Sequence, residues 1–215
     1  MRPQLQPISI DQIVRREVQQ DPPLEKAIRL YEKEKENIEK MDNWWERQEY
    51  AFNLEIPILN PIQLQLFCAH EEANEAFPLY LNSIIQKIYK KGNNNFTITL
   101  KQPHYDLLSQ VQGTKEQPLN ITINGNAGTY CAYRSKHLNI TINGNTGHNC
   151  ALASEDTTIT INGNTGDWCA DWSTNAKITI NGKIGLLPSI NATYFTNNKA
   201  TYEQLKAEDY NVTLL

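Results

Sequence analysis

Cys131, Cys150 and Cys169 stand 19 residues apart, and around them lie most of the side chains with chemistry to offer. Equal spacing puts the three thiols in one column if the polypeptide coils on itself. Parallel Cβ vectors would then hold neighbouring Cβ atoms about 4.8 Å apart, beyond the roughly 3.5–4.5 Å that a disulfide uses. Nor do three thiolates in a line make the tetrahedron of a structural zinc site. The column reads as buried free thiols packing as small hydrophobes, with no metal. Cys68, the fourth cysteine, shows no partner, and reduced thiols point to a reducing compartment. Asp167 and Asp171 bracket Cys169 and project from one edge. Such a carboxylate pair serves polysaccharide hydrolysis when a groove and a base accompany it. Only Arg134 is near among strong bases, so coil-to-coil charge pairing is the plainer reading. The same holds for Lys136 over Glu155, His137 over Asp156 and His148 over Asp167. Trp168, Trp172, Tyr130 and Tyr133 form an aromatic set that either stacks on a ligand or covers a column edge. With Asp167 and Asp171 they are the candidate interaction surface.

Asn124, Asn143, Asn162 and Asn181 form a second column, in which stacked amides can hydrogen-bond along the coil axis. Asn95, Asn120, Asn139, Asn191 and Asn211 each open an Asn-x-Thr triplet, an accident of an Asn/Thr-rich repeat. Cys68, His70, Glu71, Glu72 and Glu75 resemble a ligand cluster. No second Glu-x-x-His helix completes a di-metal bundle, so they read as a solvated face. Phosphate loops, nucleophile elbows and zinc motifs are missing. Neither catalytic residues nor a cofactor are expected.

These residues are positioned by an internal repeat. LNITINGNAGTYCAYRSKH (119–137), LNITINGNTGHNCALASED (138–156) and TTITINGNTGDWCADWSTN (157–175) align without a gap. AKITINGKIG (176–185) is a partial fourth copy, after which Pro188 replaces the Cys. Ile-Thr-Ile alternates apolar and polar and predicts a strand. Asn-Gly-Asn-x-Gly predicts a turn in which glycine supplies positive φ. A shorter second strand is expected at Thr129–Tyr133, and a second turn closes the coil. Stacking such coils gives a parallel β-solenoid, expected to be right-handed. Ile121, Ile140, Ile159 and Ile178, with Ile123, Ile142, Ile161 and Ile180, form two inward columns. Thr122, Thr141, Thr160 and Thr179 form an outward one, the feature an ice-binding protein would use.

The units GNAGTYCA, GNTGHNCA and GNTGDWCA, each preceded by Ile-Thr-Ile-Asn, resemble the GXGXG-type β-helix repeats found at the C-terminal end of the large polypeptide of glutamate synthase. The same repeats occur in the C component of formylmethanofuran dehydrogenase. The resemblance covers about residues 119–185, with Gly125, Gly128, Gly144, Gly147, Gly163 and Gly166 at the family glycines. Ala132, Ala151 and Ala170 stand where that family has glycine. The resemblance implies a right-handed β-helix serving as a scaffold without catalytic residues of its own.

The first half of the sequence is different. Residues 1–95 carry 27 of the 44 charged side chains and only one of the ten glycines. About four helices are predicted. Ser9 caps the first. The second runs from Leu24 to about Lys40, with Glu25/Arg29 and Glu36/Lys40 on its solvated face. Asn43-Trp44-Trp45 starts a third or continues the second, and Trp44-Trp45 is expected to pack this half onto the first coil. A further helix spans Ile62–Glu75, and a last, after Pro78, spans Leu79–Lys91. The fold class is therefore α+β, with a helical module over 1–95 and a solenoid over 96–215. Residues 96–118 supply an irregular first coil. Residues 186–215 cap the far end through a helix at Thr201–Glu208, with Thr201 as N-cap and Gln204 completing a capping box, and a strand at Tyr210–Leu214.

A net charge of −4 argues against nucleic acid. A mean hydropathy of −0.56, with no long apolar run, argues against a membrane partner. The N-terminus lacks the apolar stretch of a secretory signal. The reading is a cytoplasmic, non-catalytic structural or protein-interaction module. A carbohydrate-binding or carbohydrate-cleaving β-helix is the alternative, and an ice-binding protein the second.

Overall fold

A computed structural model describes residues 21–70, 73–186 and 192–215. The helix expected near Ser9, Pro188 and the Asn191 triplet lie outside the described residues, as do Glu71 and Glu72.

Four helices come first, α1 (Pro22–Glu39), α2 (Trp44–Asn53), α3 (Pro61–Ala69) and α4 (Ala76–Tyr89). Their starts follow from local chemistry. Asp21 accepts from the Leu24 amide, with Pro22 at the first helical position, where no donor is needed. Asn43 caps α2 at 2.9 Å, which separates α2 from α1. Asn60 and Gln63 form a reciprocal capping box ahead of Pro61.

Two ends differ from the sequence pattern. α3 stops at Ala69, whose carbonyl accepts from Lys101 Nζ at 3.0 Å, rather than reaching Glu75. α4 starts at Ala76, so Pro78 lies inside its first turn, where its missing N–H costs no helical bond. The Asn74 side chain accepts from the Phe77 amide at 2.8 Å and fixes that start.

α4 is the hub of this layer. Leu79, Tyr80, Leu81, Ile84 and Ile85 are buried along it. Tyr31 on α1 packs edge-on against Phe67, Phe77 and Tyr80. The Tyr80 hydroxyl donates to the Ala27 carbonyl at 2.8 Å, so its polar tip is satisfied in the core.

The remainder of the molecule is a parallel β-solenoid, built on one seven-stranded sheet in sequence order. Its strands are β1 (Asn95–Thr99), β2 (Leu119–Asn124), β3 (Leu138–Asn143), β4 (Thr158–Ile161), β5 (Lys177–Ile180), β6 (Thr193–Thr196) and β7 (Val212–Leu214). Ile121 pairs with Ile140, Ile140 with Ile159 and Ile159 with Ile178, and Tyr194 and Val212 continue the column. Buried and outward positions alternate along each strand, as a period of two requires. β6 is a strand the repeat did not announce, since Thr193–Thr196 keeps the alternation but not the motif.

The second half of each coil differs from the expected short strand. Residues 130–135, 149–154 and 168–173 form consecutive tight turns. The amide of Tyr133 donates to the Tyr130 carbonyl and that of Ser135 to the Ala132 carbonyl, and the next two coils repeat the pattern. Every second residue is left-handed: Tyr130, Ala132 and Arg134, then Asn149, Ala151 and Ala153, then Trp168, Ala170 and Trp172, with φ between 50° and 59°. Asp106, Leu108 and Gln110 do the same in the first coil. Alternating hands aim successive amides at opposite neighbours. Tyr130 N donates to His148 O in the following coil, and Ala132 N to Leu107 O in the preceding one. The turn edge is thus hydrogen-bonded on both sides without being a β-strand.

The helical layer covers the β1 end. Asn82 of α4 donates to the Asp106 carbonyl and accepts from the Leu108 amide at 2.7 Å, reading the first coil's turn edge directly. At the other end, β6 pairs with β5, and helix α5 (Lys199–Ala207) lies over the last coil. Its N-cap is Asn198, not Thr201. The Thr201 hydroxyl donates instead to the Gly182 carbonyl and Gln204 Nε2 to the Gly185 carbonyl, so no capping box forms and both side chains tie the helix to the solenoid.

Candidate functional site

Leu107, Cys131, Cys150 and Cys169 fill the inward positions between the left-handed residues of the turn edge, and all are buried. The four cysteines are free thiols. Hydrogen bonding with the Cys131 thiol, together with burial, pushes the Cys150 thiol well up; the neighbouring Cys150 thiol and burial do the same to Cys169. Thiolate, the reactive form, is therefore suppressed in both. Cys68 is buried in the helical core and does not belong to a solvated face with His70. His70 stands 2.8 Å from Glu32 on α1, and Glu75 pairs with Arg47. Among the described residues, no group of three or more His, Cys, Asp or Glu side chains is placed to hold a metal ion. No helix among them is long and apolar enough to cross a membrane.

On the strand side, Asn143 Nδ2 donates to Asn124 Oδ1, Asn162 to Asn143 and Asn181 to Asn162, each at 2.8 Å. Lys136 and Glu155 pair at 2.6 Å, and His137 and Asp156 at 3.6 Å. Asp167 Oδ1 accepts from the Leu186 amide at 2.6 Å, and the Asp167 amide donates to His148 Nδ1 at 3.1 Å, which leaves Oδ2 beside the same ring nitrogen. Asp171 Oδ1 accepts from the Trp172 amide. Asp167 is thus part of the coil-to-coil framework, whereas the Asp171 bond stays within its own coil.

The aromatic residues of the turn edge divide into two groups. Tyr133 packs under Trp44 of α2 with ring centroids 5.6 Å apart, and the Arg134 guanidinium lies over both the Trp45 and Tyr133 rings. This stack joins the helical layer to the solenoid. Trp168 and Trp172 lie two coils beyond it. They are 45% and 76% exposed, and both have left-handed backbones. A left-handed conformation costs a bulky L-residue about 1–2 kcal/mol, and exposing an indole forgoes its burial. Nothing in the packing of the coil requires tryptophan there, since Asn149 and Ala153 occupy the same positions one coil earlier.

A cleft of about 560 Å³ opens where the helical layer meets the first coil. Trp44, Arg47 and Glu75 line it from the helical side, and His104, Tyr105, Asp106 and Tyr130 from the solenoid side. His104 is buried with its ring 4.9 Å from Phe77. Asp106 is half-buried, and desolvation pushes its carboxyl up to about 6, against the pull of Trp44 and Ser109. Of these residues, sequence reasoning marked only Tyr130, Trp44 and Glu75. Asp106, His104 and Tyr105 belong to the irregular coil that carries no repeat signature, and Arg47 is one charge among many on the helices.

The fold and these surfaces define a parallel β-solenoid with a helical layer on its first coil and an aromatic turn edge. No family model, curated protein or solved structure matches the protein.

Proposed function

We propose that the protein is a non-catalytic interaction module whose turn edge binds a partner protein. The observation that carries this reading is the pair Trp168 and Trp172, two exposed indoles at positions that the preceding coil fills with Asn149 and Ala153. The left-handed backbone is common to every coil, so the mark of use is the placing of tryptophan at two exposed positions of it, and tryptophan is among the residues most enriched where interfaces concentrate their energy. The lack of catalysis is supported by Asp167, whose carboxylate accepts from the Leu186 amide of the coil framework, and by the suppressed thiolates of Cys150 and Cys169. The resemblance of the repeats to a scaffold β-helix points the same way. Four buried free thiols suit a reducing, cytoplasmic setting.

The test is the double variant Trp168→Asn/Trp172→Asn. Asparagine adopts the left-handed conformation readily, so the variant is expected to melt at or above the wild-type temperature. Crosslinking in cells followed by mass spectrometry should recover a protein partner with the wild type and lose it with the variant. An unchanged partner set would overturn the reading. A glycan array bound by the wild type and not by the variant would replace the protein partner with carbohydrate.

A further inference from the structure

We propose that the cleft between α2 and the first coil is a binding site for an organic cation, an ammonium or guanidinium group. The site is separate from the Trp168/Trp172 surface and does not depend on that reading. Its size falls in the range of small-molecule sites, roughly 300–1,000 Å³. Its lining includes the aromatic residues Trp44, Tyr105 and Tyr130, and Tyr105 is 65% exposed with no core to fill. Aromatic side chains lining a cleft attract cations through their quadrupoles.

The charges in the cleft favour the same class of ligand. Asp42, Glu75 and Asp106 contribute three carboxyl groups, and Arg47 is the one Lys or Arg among the lining residues. Its guanidinium is already spent. Nε donates to the Met41 carbonyl at 2.8 Å, Nη2 to the Glu39 carbonyl at 3.2 Å, and Nη1 pairs with Glu75. An anionic ligand would thus meet carboxylates without a free basic side chain to receive it. A cation would meet Asp106, half-buried between Trp44 and Ser109, and Asp42 at the rim.

Asp106 also gives the site a pH dependence. The groups that act on it are Trp44 from α2, Glu75 from the turn before α4 and Ser109 from its own coil, and Arg47 and His104 share the cleft lining with it. Burial and the Glu75 charge raise its carboxyl to about 6. Above that pH the carboxylate is ionised and attracts the cation; below it the attraction fades.

The experiment is calorimetric titration of the full-length protein at pH 7.5 and pH 5. The probes are arginine methyl ester, an unstructured peptide bearing one arginine, inorganic phosphate and maltose. Saturable binding of both arginine probes is expected at pH 7.5, at least fivefold weaker at pH 5, with none for phosphate. Asp106→Asn should weaken binding about tenfold and remove the pH dependence. Should that variant fold poorly, Tyr105→Ser, at an exposed rim position, is expected to weaken binding severalfold with an unchanged melting temperature. A peptide tenfold tighter than the ester would identify a partner's basic side chain as the source of the cation; equal affinities would identify a free metabolite-sized amine. Absence of saturable arginine binding, tighter binding of phosphate or maltose, or an affinity unaltered in both variants would overturn the proposal.

Discussion

A Cβ added to Gly144 would sit 2.3 Å from the carbonyl oxygen of Gly125 in the preceding coil. Gly163 and Gly182 meet the carbonyls of Gly144 and Gly163 in the same way, at 2.6 and 2.5 Å. The repeat glycines are thus points of close backbone approach, and of them only Gly125 has a left-handed φ. Gly144→Ala is expected to cost about 2–3 kcal/mol, because the coils must separate to admit the methyl group. Gly92→Ala should cost only about 1 kcal/mol, since nothing lies within 4 Å and left-handed strain is the whole penalty. Urea midpoints of the two variants check the contrast. The left-handed positions were illegible in the sequence for the converse reason. Most are alanine, arginine, tyrosine, tryptophan, leucine or glutamine, which do not signal positive φ, and Asn149 and Asp106 are too few to mark the pattern. The spacing of the cysteines was legible, and it leads to a prediction about reactivity. Native Cys150 should resist a thiol reagent that labels the urea-unfolded protein, given its full burial and its raised pKa. Cys150→Ser should cost about 1–3 kcal/mol, as a buried hydroxyl is a poorer fit than a thiol among apolar neighbours.

At the scale of elements, α1 and α2 are joined by a buried acid. Glu34 is 5% exposed and accepts from the Tyr50 hydroxyl at 2.6 Å and from Asn37 at 2.8 Å, with Lys33 3.0 Å away. These partners, Tyr50 first, hold its carboxyl at about 2 instead of the ordinary 4.5. A depressed folded-state pKa stabilises above the unfolded value and is lost as pH falls towards the folded one. Glu34 therefore contributes fully above about pH 4.5, and its contribution disappears between there and about pH 2. Urea midpoints across that window should fall less steeply in Glu34→Gln than in the wild type, with a difference on the order of 1–3 kcal/mol. Equal slopes would remove Glu34 as a source of acid lability. The helices themselves were largely legible, because Asp21-Pro22, Asn43 and Asn60-Pro61 cap them by local chemistry. Their ends at Ala69 and Ala76 were not, because a tertiary contact from Lys101 and a side-chain bond from Asn74 set them.

Across the whole molecule, legibility follows the repeat. The strand columns and the Asn ladder are spelled out in residues 119–185, so the register of β2 to β5 could be read directly. The cleft could not. It draws Trp44 and Arg47 from α2, Glu75 from the turn before α4 and His104 to Asp106 from an aperiodic coil, and only folding brings these segments together. The two ends of the solenoid show the same divide and test its logic. The β1 end is closed by α3, whose Gln65 side chain donates to the Thr97 carbonyl of β1, and by α4, whose Asn82 is bonded to the turn edge of the first coil. The β5 end is closed by β6, whose Tyr194 is fully buried and donates its hydroxyl to the Cys169 carbonyl at 2.9 Å, and by α5, anchored through Leu205. Truncation after Leu186 removes both. Ile178 and Ile180 would then lie beneath an open strand with unpaired amides and carbonyls, and Cys169 beneath an uncovered turn edge. A flat parallel edge of this kind templates further strands, and coils with identical Ile-Thr-Ile strands are ready partners for one another. The truncated protein should therefore associate end to end, giving elongated oligomers in light scattering at micromolar concentration while the helical signal of α1 to α4 persists in circular dichroism. A monomeric truncation with an unaltered melting temperature would show that the repeat coils stabilise themselves without a cap.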